Sequence, residues 1–489
     1  MNTPTLEHAA LDATQVRAGF VPPGFKGLVD SHLLELGAIN IEVPAPTPEQ
    51  LVALAQHVRA HQTIKQWPVH ALMQAIDRVV HRLLDAQNPQ RQLLNRLLAQ
   101  TTGLDEEMLR LGLTRYLQSF RTPQLQRFVV EDLGNPSLLD RFEPRAKGGL
   151  SMAVGPQVLM HVWAGNVPGL PLWSLVAGLL VKAGNVCKLP SAEPLVASLF
   201  AHLIAREAPE LADGLAVVWW PGGDTARESA VFSQADALMA YGDNPTLTAL
   251  RAQVPITTRF LPFGHKLSFG MVSAEGLDAR RVHEVARLAA LDVARFEQQG
   301  CYSPQVFYVA RGGRSSPLDF AHHLQQQLRA LSQQHPRREL SLSERQALAN
   351  WRSAQETAAM AGQGVVMLGD ASDPFGVAYS EALSFSPSAL NRTVLVVAVD
   401  DLSQVPALIA PHRDLLQTVG LATAPQELMV LSKALALSGV TRICAIGSMT
   451  LPEAAWHHDG RFNLADLVQM VDIEHSAERA ADDLAPYTD

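Results

Sequence analysis

Hydrophobic positions repeat at two different spacings along the chain, and the spacing changes once. From Thr47 to about Phe120 the apolar residues recur at helical spacing, which is typical of amphipathic helices. Thr47 can cap the first helix, Pro48 suits its first turn, and Gln50 completes a capping box. Residues 1–45 carry turn signals without periodicity, so we expect an irregular segment there. The pattern therefore predicts a helical N-terminal region whose apolar stripes form core rather than a binding surface.

From about residue 150, short apolar runs alternate with helical patterns. Strands are predicted at 155–163, 185–189, 215–220 and 237–241, with helices at 172–182 and 194–208. A second alternating region has strands at 268–272, 305–309, 364–368 and 393–399, and helices at 282–298 and 319–334. Such alternation is typical of parallel sheets with crossover helices. We predict an α/β protein with two parallel-sheet domains and a hinge at residues 262–264.

Charge and composition exclude several classes of function. The 489 residues carry a net charge of −9, so we expect no nucleic-acid partner and no polybasic membrane patch. The longest uncharged stretch, residues 148–181, contains three prolines, which argues against a membrane span. The N-terminus has no signal-peptide pattern. The 17 histidines show no metal-ligand spacing, so no metal site is predicted.

The chain contains three widely spaced cysteines, Cys187, Cys301 and Cys444. An odd, sparse set argues against a disulfide framework and against a zinc ribbon. These features together predict a protein of the reducing cytoplasm.

Cys301 has the sequence context of a reactive residue. It follows a Gln-Gln-Gly loop and precedes Tyr302, Ser303, Pro304 and a strand-like run. A cysteine reacts as its thiolate and needs access together with polar surroundings, which a flexible loop entering a strand can supply. A buried structural cysteine is the alternative interpretation.

Successive predicted strands end in loops with polar or glycine residues. The first three carry Asn166, Lys188 and the pair Gly222–Gly223, and a fourth ends at Gly242. Ligands of open α/β sheets bind at the carboxyl ends of strands, so these loops are placed for chemistry. The chain has no G-x-G-x-x-G motif after a strand, which does not support a standard dinucleotide-binding fold.

Taken together, these segments resemble the aldehyde dehydrogenase superfamily, and most closely the LuxC-type acyl-CoA reductases, the fatty-acid reductases of bacterial luminescence systems. Six segments carry the resemblance in the family's order: 164–168, 184–188, 264–266, 300–305, 391–393 and 456–460. The resemblance implies three parts. Residues 1–125 and 150–262 would form the cofactor-binding domain with the helical N-terminal region, residues 263–450 the catalytic domain bearing the cysteine, and residues 126–149 and 465–489 an arm that builds homodimers or homotetramers.

The resemblance also implies roles for single residues. Cys301 falls at the nucleophile position, and Asn166 at the position of an amide that stabilises an oxyanion together with the cysteine's backbone N–H. Lys188 falls where a lysine meets the adenosine ribose or its phosphate, and Gly222, Gly223 and Gly242 complete the expected cofactor loops. Ser191 stands near the place of a glutamate in many NAD-using members. Because a missing carboxylate removes repulsion of a 2′-phosphate, we expect NADPH in preference to NADH.

One departure from the superfamily pattern shapes the expected reaction. Pro262 stands where hydrolytic aldehyde dehydrogenases have the glutamate that activates water. Without that base an acyl-enzyme hydrolyses slowly, which favours reduction of an acyl-CoA to an aldehyde, with coenzyme A as co-substrate. The alternatives are a conventional NAD(P)-dependent aldehyde dehydrogenase, an acyl-phosphate reductase, and a catalytically silent scaffold for an acyl-activating protein partner.

Three further features have two interpretations each. His265 is a substitute base or a structural residue. The Glu-x-Phe-Gly-Pro motif of the superfamily is absent near Arg392, which contacts a phosphate or carboxylate, or forms a surface ion pair. Residues 456–460 line the acyl channel or close the site, or else they form a packing loop.

Overall fold

The computed structural model describes residues 3–485. Its N-terminal segment forms a small sheet of β1 (Gln15–Arg17), β2 (Ser31–Leu36) and β3 (Ile39–Pro44), in the order β1-β3-β2. The expectation of an irregular segment at residues 1–45 is therefore wrong. Buried Ile39, Ile41 and Val43 alternate with more exposed neighbours along β3. This period of two extends over only six residues, which is why turn signals outweighed it.

The helical N-terminal region is confirmed. Its helices are α1 (Pro48–Ala60), α2 (Val69–Leu84), α3 (Pro89–Thr102), α4 (Glu106–Gln118) and α5 (Thr122–Leu133). The predicted capping box is present, because the Gln50 N–H donates to Thr47 Oγ1 and the Thr47 N–H donates to Gln50 Oε1. Two short strands follow, β4 (Glu143–Pro144) and β5 (Leu150–Val154).

The first large sheet is entirely parallel. It is built from β6 (Val158–Val162), α6 (Pro171–Leu180), β7 (Gly184–Lys188), α7 (Leu195–Glu207), β8 (Leu215–Val218), α8 (Thr225–Phe232), β9 (Ala237–Tyr241), α9 (Asn244–Gln253) and β10 (Arg259–Phe263). The strand order is β10-β9-β6-β7-β8. Every residue of β6, β7, β8 and β9 is buried, as expected for strands with helices on both faces.

The second large sheet has seven strands in the order β13-β14-β15-β12-β11-β16-β17. Its elements are β11 (Leu267–Val272), α10 (Val282–Ala294), β12 (Pro304–Ala310), α11 (Pro317–Gln334), α12 (Leu342–Met360), β13 (Val365–Leu368), β14 (Gly376–Ser380), β15 (Thr393–Val399), α13 (Val405–Ile409), β16 (Leu416–Ala422), α14 (Pro425–Leu437) and β17 (Arg442–Ala445). Only β13 is antiparallel to its neighbour. The predicted α/β class with two parallel-sheet units is confirmed. Pro262 and Phe263 are the last residues of β10, so the predicted hinge lies at the junction of the two sheets and stays a prediction.

Two elements complete the chain, β18 (Gln469–Ile473) and α15 (His475–Asp483). Strand β18 pairs antiparallel with β5, which in turn pairs with β4. The last residues of the predicted arm, 486–489, lie outside the described residues, as do residues 1 and 2. Between residues 3 and 485, no helix is long and apolar enough to cross a membrane, and no cluster of three or more His, Cys, Asp or Glu side chains could hold a metal ion.

Candidate active site

Cys301 lies in a loop that enters the amino end of β12, the central strand of the second sheet. We refer to residues 295–303 as the cysteine loop. Helix α10 ends at Ala294, short of the predicted residue 298, because Phe296, Glu297 and Gln298 have φ angles of 49°, 52° and 59°. Three successive left-handed residues are rare outside glycine. They end the helix and turn the chain toward β12.

Buried polar side chains hold this turn in place. Arg392 and Glu297 are 1% and 2% exposed, and the guanidinium donates to both carboxylate oxygens at 2.7 and 2.8 Å. The Gln298 amide donates to the carbonyls of Pro304 and Thr393 and accepts from the Thr393 N–H, all within 2.9 Å. Arg392 thus forms a buried ion pair with Glu297. Both interpretations offered from the sequence, a contact with a ligand and an ion pair at the surface, are wrong.

Cys301 and Asn166 line one cavity of about 240 Å³. It lies where the carboxyl edge of the first sheet meets the amino edge of the second. The strand order of the first sheet reverses between β6 and β9, and ligands of open α/β sheets bind at such a switch point. The loops after both strands reach the cavity, contributing Asn166 and Gly242.

Asn166 is tied directly to the cysteine loop. Its Nδ2 donates to the Gln299 carbonyl at 2.6 Å, and both residues line the cavity. An amide nitrogen carries two hydrogens, so this bond leaves one to donate into the cavity. The contact fixes the loop after β6 beside the cysteine.

Burial raises the pKa of the Cys301 thiol to about 12, and the Asp459 carboxylate contributes to the increase. A hydrogen bond from Gln417, with Nε2 3.3 Å from Sγ, acts in the opposite direction. The backbone N–H groups of Cys301 and Tyr302 also lower the pKa of this thiol. At neutral pH the thiol of the free protein is therefore protonated, and thiolate formation depends on the donors directed at sulfur.

The three cysteines differ in their access. Cys301 is partly exposed in the cavity, whereas Cys187 is fully buried within β7. Burial raises the pKa of Cys187 well above its ordinary value. Cys444 is half-buried in β17. The structural interpretation of a cysteine therefore suits Cys187 better than Cys301.

Four of the residues predicted to bind the cofactor lie outside this cavity, farther along the carboxyl edge of the first sheet. Lys188 ends β7, and its Nζ lies 5.7 Å from the centre of the Trp220 ring. Ser191 is exposed and accepts a hydrogen bond from Trp219 Nε1 at 3.0 Å. Gly222 and Gly223 are exposed after β8, and a Cβ on either would meet nothing within 4 Å.

These residues fit a nicotinamide dinucleotide. Exposed glycines permit close approach of a phosphate to the backbone. Lys188 lies at the edge of the same sheet but is 7% exposed, and burial lowers its pKa. Gly242 precedes helix α9 and also lines the Cys301 cavity. The loops after β6, β7, β8 and β9 thus form one continuous edge that leads from Ser191 to the cysteine.

A second, narrow cavity of about 30 Å³ reaches Cys301 from the other side. Its lining is mostly apolar and contains Tyr116, Phe128, Trp173, Met239, Tyr241, Phe263, Trp456 and His458. Tyr116, Phe128 and Trp173 belong to an aromatic cluster with Phe120, in which ring centres lie 4.9–5.8 Å apart. No pattern in the sequence indicates this cluster, because its members come from separate segments of the chain.

Beyond the narrow cavity lies a wider one of about 390 Å³, which shares Tyr116, Tyr302 and Pro452 with it. Its lining includes the polar side chains of Arg115, Arg127 and Glu453. Neighbouring cavities share lining residues, because Cys301 lines the first two and Tyr302 lines the narrow and the wide one. We refer to the narrow cavity, whose lining is mostly apolar, as the apolar channel.

The loop at residues 456–460 lies between the two smaller cavities. The His458 ring stacks on Phe263 with centres 4.7 Å apart and lines both cavities, while Trp456 lines the narrow one. Burial lowers the pKa of His458. Of the interpretations left open, the structure supports a loop that lines the site. His265 is exposed and also lines the Cys301 cavity.

Comparison with known proteins identifies the family. A sequence model of the acyl-CoA reductase (LuxC) family matches residues 64–470. The long-chain acyl-protein thioester reductase of Aliivibrio fischeri is 28% identical over 366 residues, covering 74% of this chain and 73% of that protein. Long-chain acyl-protein thioester reductase 2 of Photobacterium leiognathi is 26% identical, with the same coverage of each chain.

Solved structures show the same fold at low sequence identity. Aldehyde dehydrogenase 21 from Physcomitrella patens superposes with a TM-score of 0.71 at 13% identity, covering 94% of this chain and 98% of its own. Aldehyde dehydrogenase C from Pseudomonas syringae, solved with NAD⁺ and octanal, gives 0.71 at 12% identity and covers 94% and 96%. The chain therefore has the aldehyde dehydrogenase fold and belongs to the acyl-CoA reductase (LuxC) family of oxidoreductases.

Proposed function

We propose that this protein reduces the acyl group of a thioester to an aldehyde, with Cys301 as nucleophile and NADPH as the preferred reductant. The observation that carries the proposal is the position of Cys301 where the cavity at the switch point, which also contains Asn166 and Lys266, meets the apolar channel. The cavity proposed for the cofactor and the cavity proposed for the acyl group thereby both contact the Cys301 thiol.

The residues of the chain suggest how acyl transfer proceeds. Cys301 loses its proton and attacks the thioester carbonyl, and the leaving thiolate takes up one proton as the acyl-cysteine forms. Asn166 and the backbone N–H of Cys301 stabilise the oxyanion, and such a donor is typically worth about 3–4 kcal/mol. When bound, the reduced nicotinamide supplies the hydride. Collapse of the resulting thiohemiacetal then releases the aldehyde and returns Cys301 to the thiol form with one proton from solvent.

The lining of the cavity supports thioester chemistry over hydrolysis. Pro262, at the position of the water-activating glutamate, offers no acid or base. Among the described residues that line the Cys301 cavity, Asp243 is the one carboxylate, and it accepts a hydrogen bond from the Thr246 N–H at 2.9 Å as a helix cap. Oxidation of aldehydes to acids, the second candidate function, would instead need His265 or His458 as the base, since both line this cavity.

The cofactor preference is supported by the orientation of the nearby carboxylates. Glu193 is 1% exposed and caps the backbone N–H groups of Leu195 and Val196. Glu228 is 3% exposed and accepts from Gln253 and the Gly223 N–H. Both carboxylates face inward, so the surface around Ser191 presents no acidic group from either to repel a 2′-phosphate.

The apolar lining of the channel beside Cys301 supports a fatty acyl group as the substrate, and the channel, at about 30 Å³, would have to widen to admit a long chain. The relatives are named as reductases of long-chain acyl-protein thioesters, and acyl-CoA provides the same reacting group. We therefore propose an acyl thioester carried by coenzyme A, with an acylated protein partner as the other carrier. The homo-oligomeric state and the arm at residues 126–149 and 465–489 remain part of this proposal, as do the cytoplasmic location and the domain boundaries.

The test is oxidation of NADPH and NADH with acyl-CoAs from acetyl to palmitoyl, with acyl phosphates, and with a chemically acylated protein. We expect thioester-dependent loss of NADPH with aldehyde as product. Cys301→Ala should abolish formation of the acyl-enzyme, detected by intact mass, while Cys444→Ala serves as the matched control and keeps it. Aldehyde production by Cys301→Ala would exclude the proposed nucleophile. Oxidation of aldehydes to free acids without coenzyme A would instead establish the second candidate.

A further inference from the structure

We propose that Asp459 is a positioning residue of this site, which holds the Gln417 amide in the orientation that donates a hydrogen bond to the Cys301 sulfur. The inference rests on the proposed role of Cys301 as nucleophile and adds two residues to it. Asp459 lies in the segment of resemblance at residues 456–460, but the resemblance assigns it no role. Gln417 lies outside all six segments, in strand β16, which was not predicted from the sequence.

Two contacts of one nitrogen carry the argument. Gln417 Nε2 lies 3.3 Å from Cys301 Sγ and 2.5 Å from Asp459 Oδ1. Gln417 is 1% exposed, and the Asp459 side chain is 7% exposed, so water competes little for either bond. Both partners accept hydrogen bonds, and only the amide nitrogen can donate to them.

The Gln417 amide could otherwise be reversed. Its two ends have nearly the same shape, and the surrounding hydrogen bonds decide which end faces a given group. With Asp459 ionised, reversal would bring the amide oxygen against a carboxylate, so the nitrogen is held between carboxylate and sulfur. Without that carboxylate, the oxygen can face sulfur, where it would disfavour a thiolate.

Asp459 lies in a tight turn with an unusual backbone conformation. It has a left-handed backbone with φ of 54°, in the turn at His458–Gly460 that follows Trp456. Its Oδ1 lies 3.9 Å from His458 Nε2. Tyr241 and Tyr302 also lie close to the sulfur, and burial raises the pKa of both phenols. Three further titratable side chains line the Cys301 cavity: Asp243, His265 and Lys266.

The charge of Asp459 and its positioning role act on Cys301 in opposite directions. The negative field of the carboxylate disfavours a thiolate, whereas the hydrogen bond that it maintains through Gln417 favours one. The two roles therefore predict opposite signs for a neutral variant. A carboxylate that acted through its field alone would make Asp459→Ser more reactive than the native protein.

The experiment measures the rate of iodoacetamide labelling of Cys301 against pH, with the labelled peptide assigned by mass spectrometry. Native protein is compared with Asp459→Ser, Gln417→Leu and the double variant. Asp466→Asn is the control, because it neutralises a carboxylate of the same segment that bonds Arg461. Thermal unfolding of each variant verifies its fold.

We expect Asp459→Ser, whose side chain is too short to accept from the Gln417 amide, and Gln417→Leu each to raise the apparent pKa of the thiol by about one unit, which slows labelling roughly tenfold below that pKa. In the Gln417→Leu background, Asp459→Ser should instead speed labelling, because only the field then remains. Faster or unchanged labelling of the single Asp459→Ser variant would overturn the proposal. Labelling needs no substrate, so its outcome is independent of whether the native protein reduces thioesters.

Discussion

The buried ion pair between Arg392 and Glu297 is expected to hold the cysteine loop in its left-handed turn, and Arg392→Met tests this. Methionine keeps the aliphatic stem but leaves Glu297 without its counter-charge. It also removes donors to the Ser332 hydroxyl and the His335 carbonyl, at 3.0 and 2.8 Å. Removing one partner of a buried pair typically costs about 3–5 kcal/mol. For a domain of about 200 residues, that loss of unfolding free energy corresponds to a decrease of roughly 6–20 °C in Tm.

The assay is thermal and urea unfolding of three variants. Arg392→Met is compared with the double variant Glu297→Gln/Arg392→Met, in which no charge stays buried and most of the stability should return. Arg287→Met is the matched control, since Arg287 makes the same two-bonded contact with Glu284 at 2.6 and 2.8 Å. Those side chains are 47% and 56% exposed, and such a surface pair contributes at most about 1 kcal/mol.

The loss should also depend on pH. Burial raises the pKa of Glu297, and the Arg392 charge opposes this effect, so the pKa rises further in Arg392→Met. A carboxyl with a raised folded-state pKa binds more protons in the folded state, so its contribution to stability falls as pH rises through that range. The deficit of Arg392→Met should therefore be smaller near pH 5 than near pH 8. A deficit no larger than that of Arg287→Met, or one independent of pH, would refute the reasoning.

Two further substitutions test the cofactor and acyl sides. Ser191→Glu should raise the KM for NADPH at least about tenfold, equivalent to about 1.4 kcal/mol, with a smaller effect on NADH, because the new carboxylate repels a 2′-phosphate; equal changes for the two cofactors would contradict this. Trp173→Ala enlarges the apolar channel and should shift the preferred acyl-CoA toward longer chains, as measured by kcat/KM from octanoyl to palmitoyl. An unchanged chain-length profile would place the acyl group elsewhere.

Much of the fold could be predicted because its strands are short apolar runs between helices. Strands 237–241 and 393–399 have the predicted bounds. The failures occur where a local pattern competes with tertiary contacts. Helix α10 was predicted to extend to residue 298, but the Glu297–Arg392 pair and the Gln298 amide stabilise left-handed conformations that the local sequence does not favour. Sequence periodicity contains no information about a partner about 95 residues away.

In the candidate site, too, the residues in recognisable local motifs could be predicted, and those brought in by tertiary contacts could not. Cys301 and Asn166 were recognisable because loops at strand ends carry ligands and because their motifs resemble a known family. Gln417 and Asp459 were not singled out, since Gln417 opens a strand that was missed and Asp459 belongs to a motif whose role was unassigned. Trp173 was not predicted as a site residue, because it belongs to a helix that is apolar on all sides. In such a helix the sequence pattern does not distinguish a side chain that faces a channel from one that faces the core.

The raised pKa of Cys301 bears on why an acyl group would move onto this residue and stay there. When two thiols compete in a tetrahedral intermediate, the thiol of lower pKa leaves faster, and the more basic thiolate is the stronger nucleophile. A thiol whose pKa is raised to about 12 is thus a poorer leaving group than an ordinary thiol with a pKa near 8.5. In the proposed reaction, the tetrahedral intermediate would therefore expel the thiol of the incoming carrier and leave the acyl group on Cys301. A raised pKa also means that only a small fraction of Cys301 is ionised. The Gln417 hydrogen bond increases that fraction, because it lowers the pKa, but the pKa stays high enough for Cys301 to remain a poor leaving group. In a cavity where the one lining carboxylate is occupied as a helix cap, this balance protects an acyl-cysteine until it is reduced.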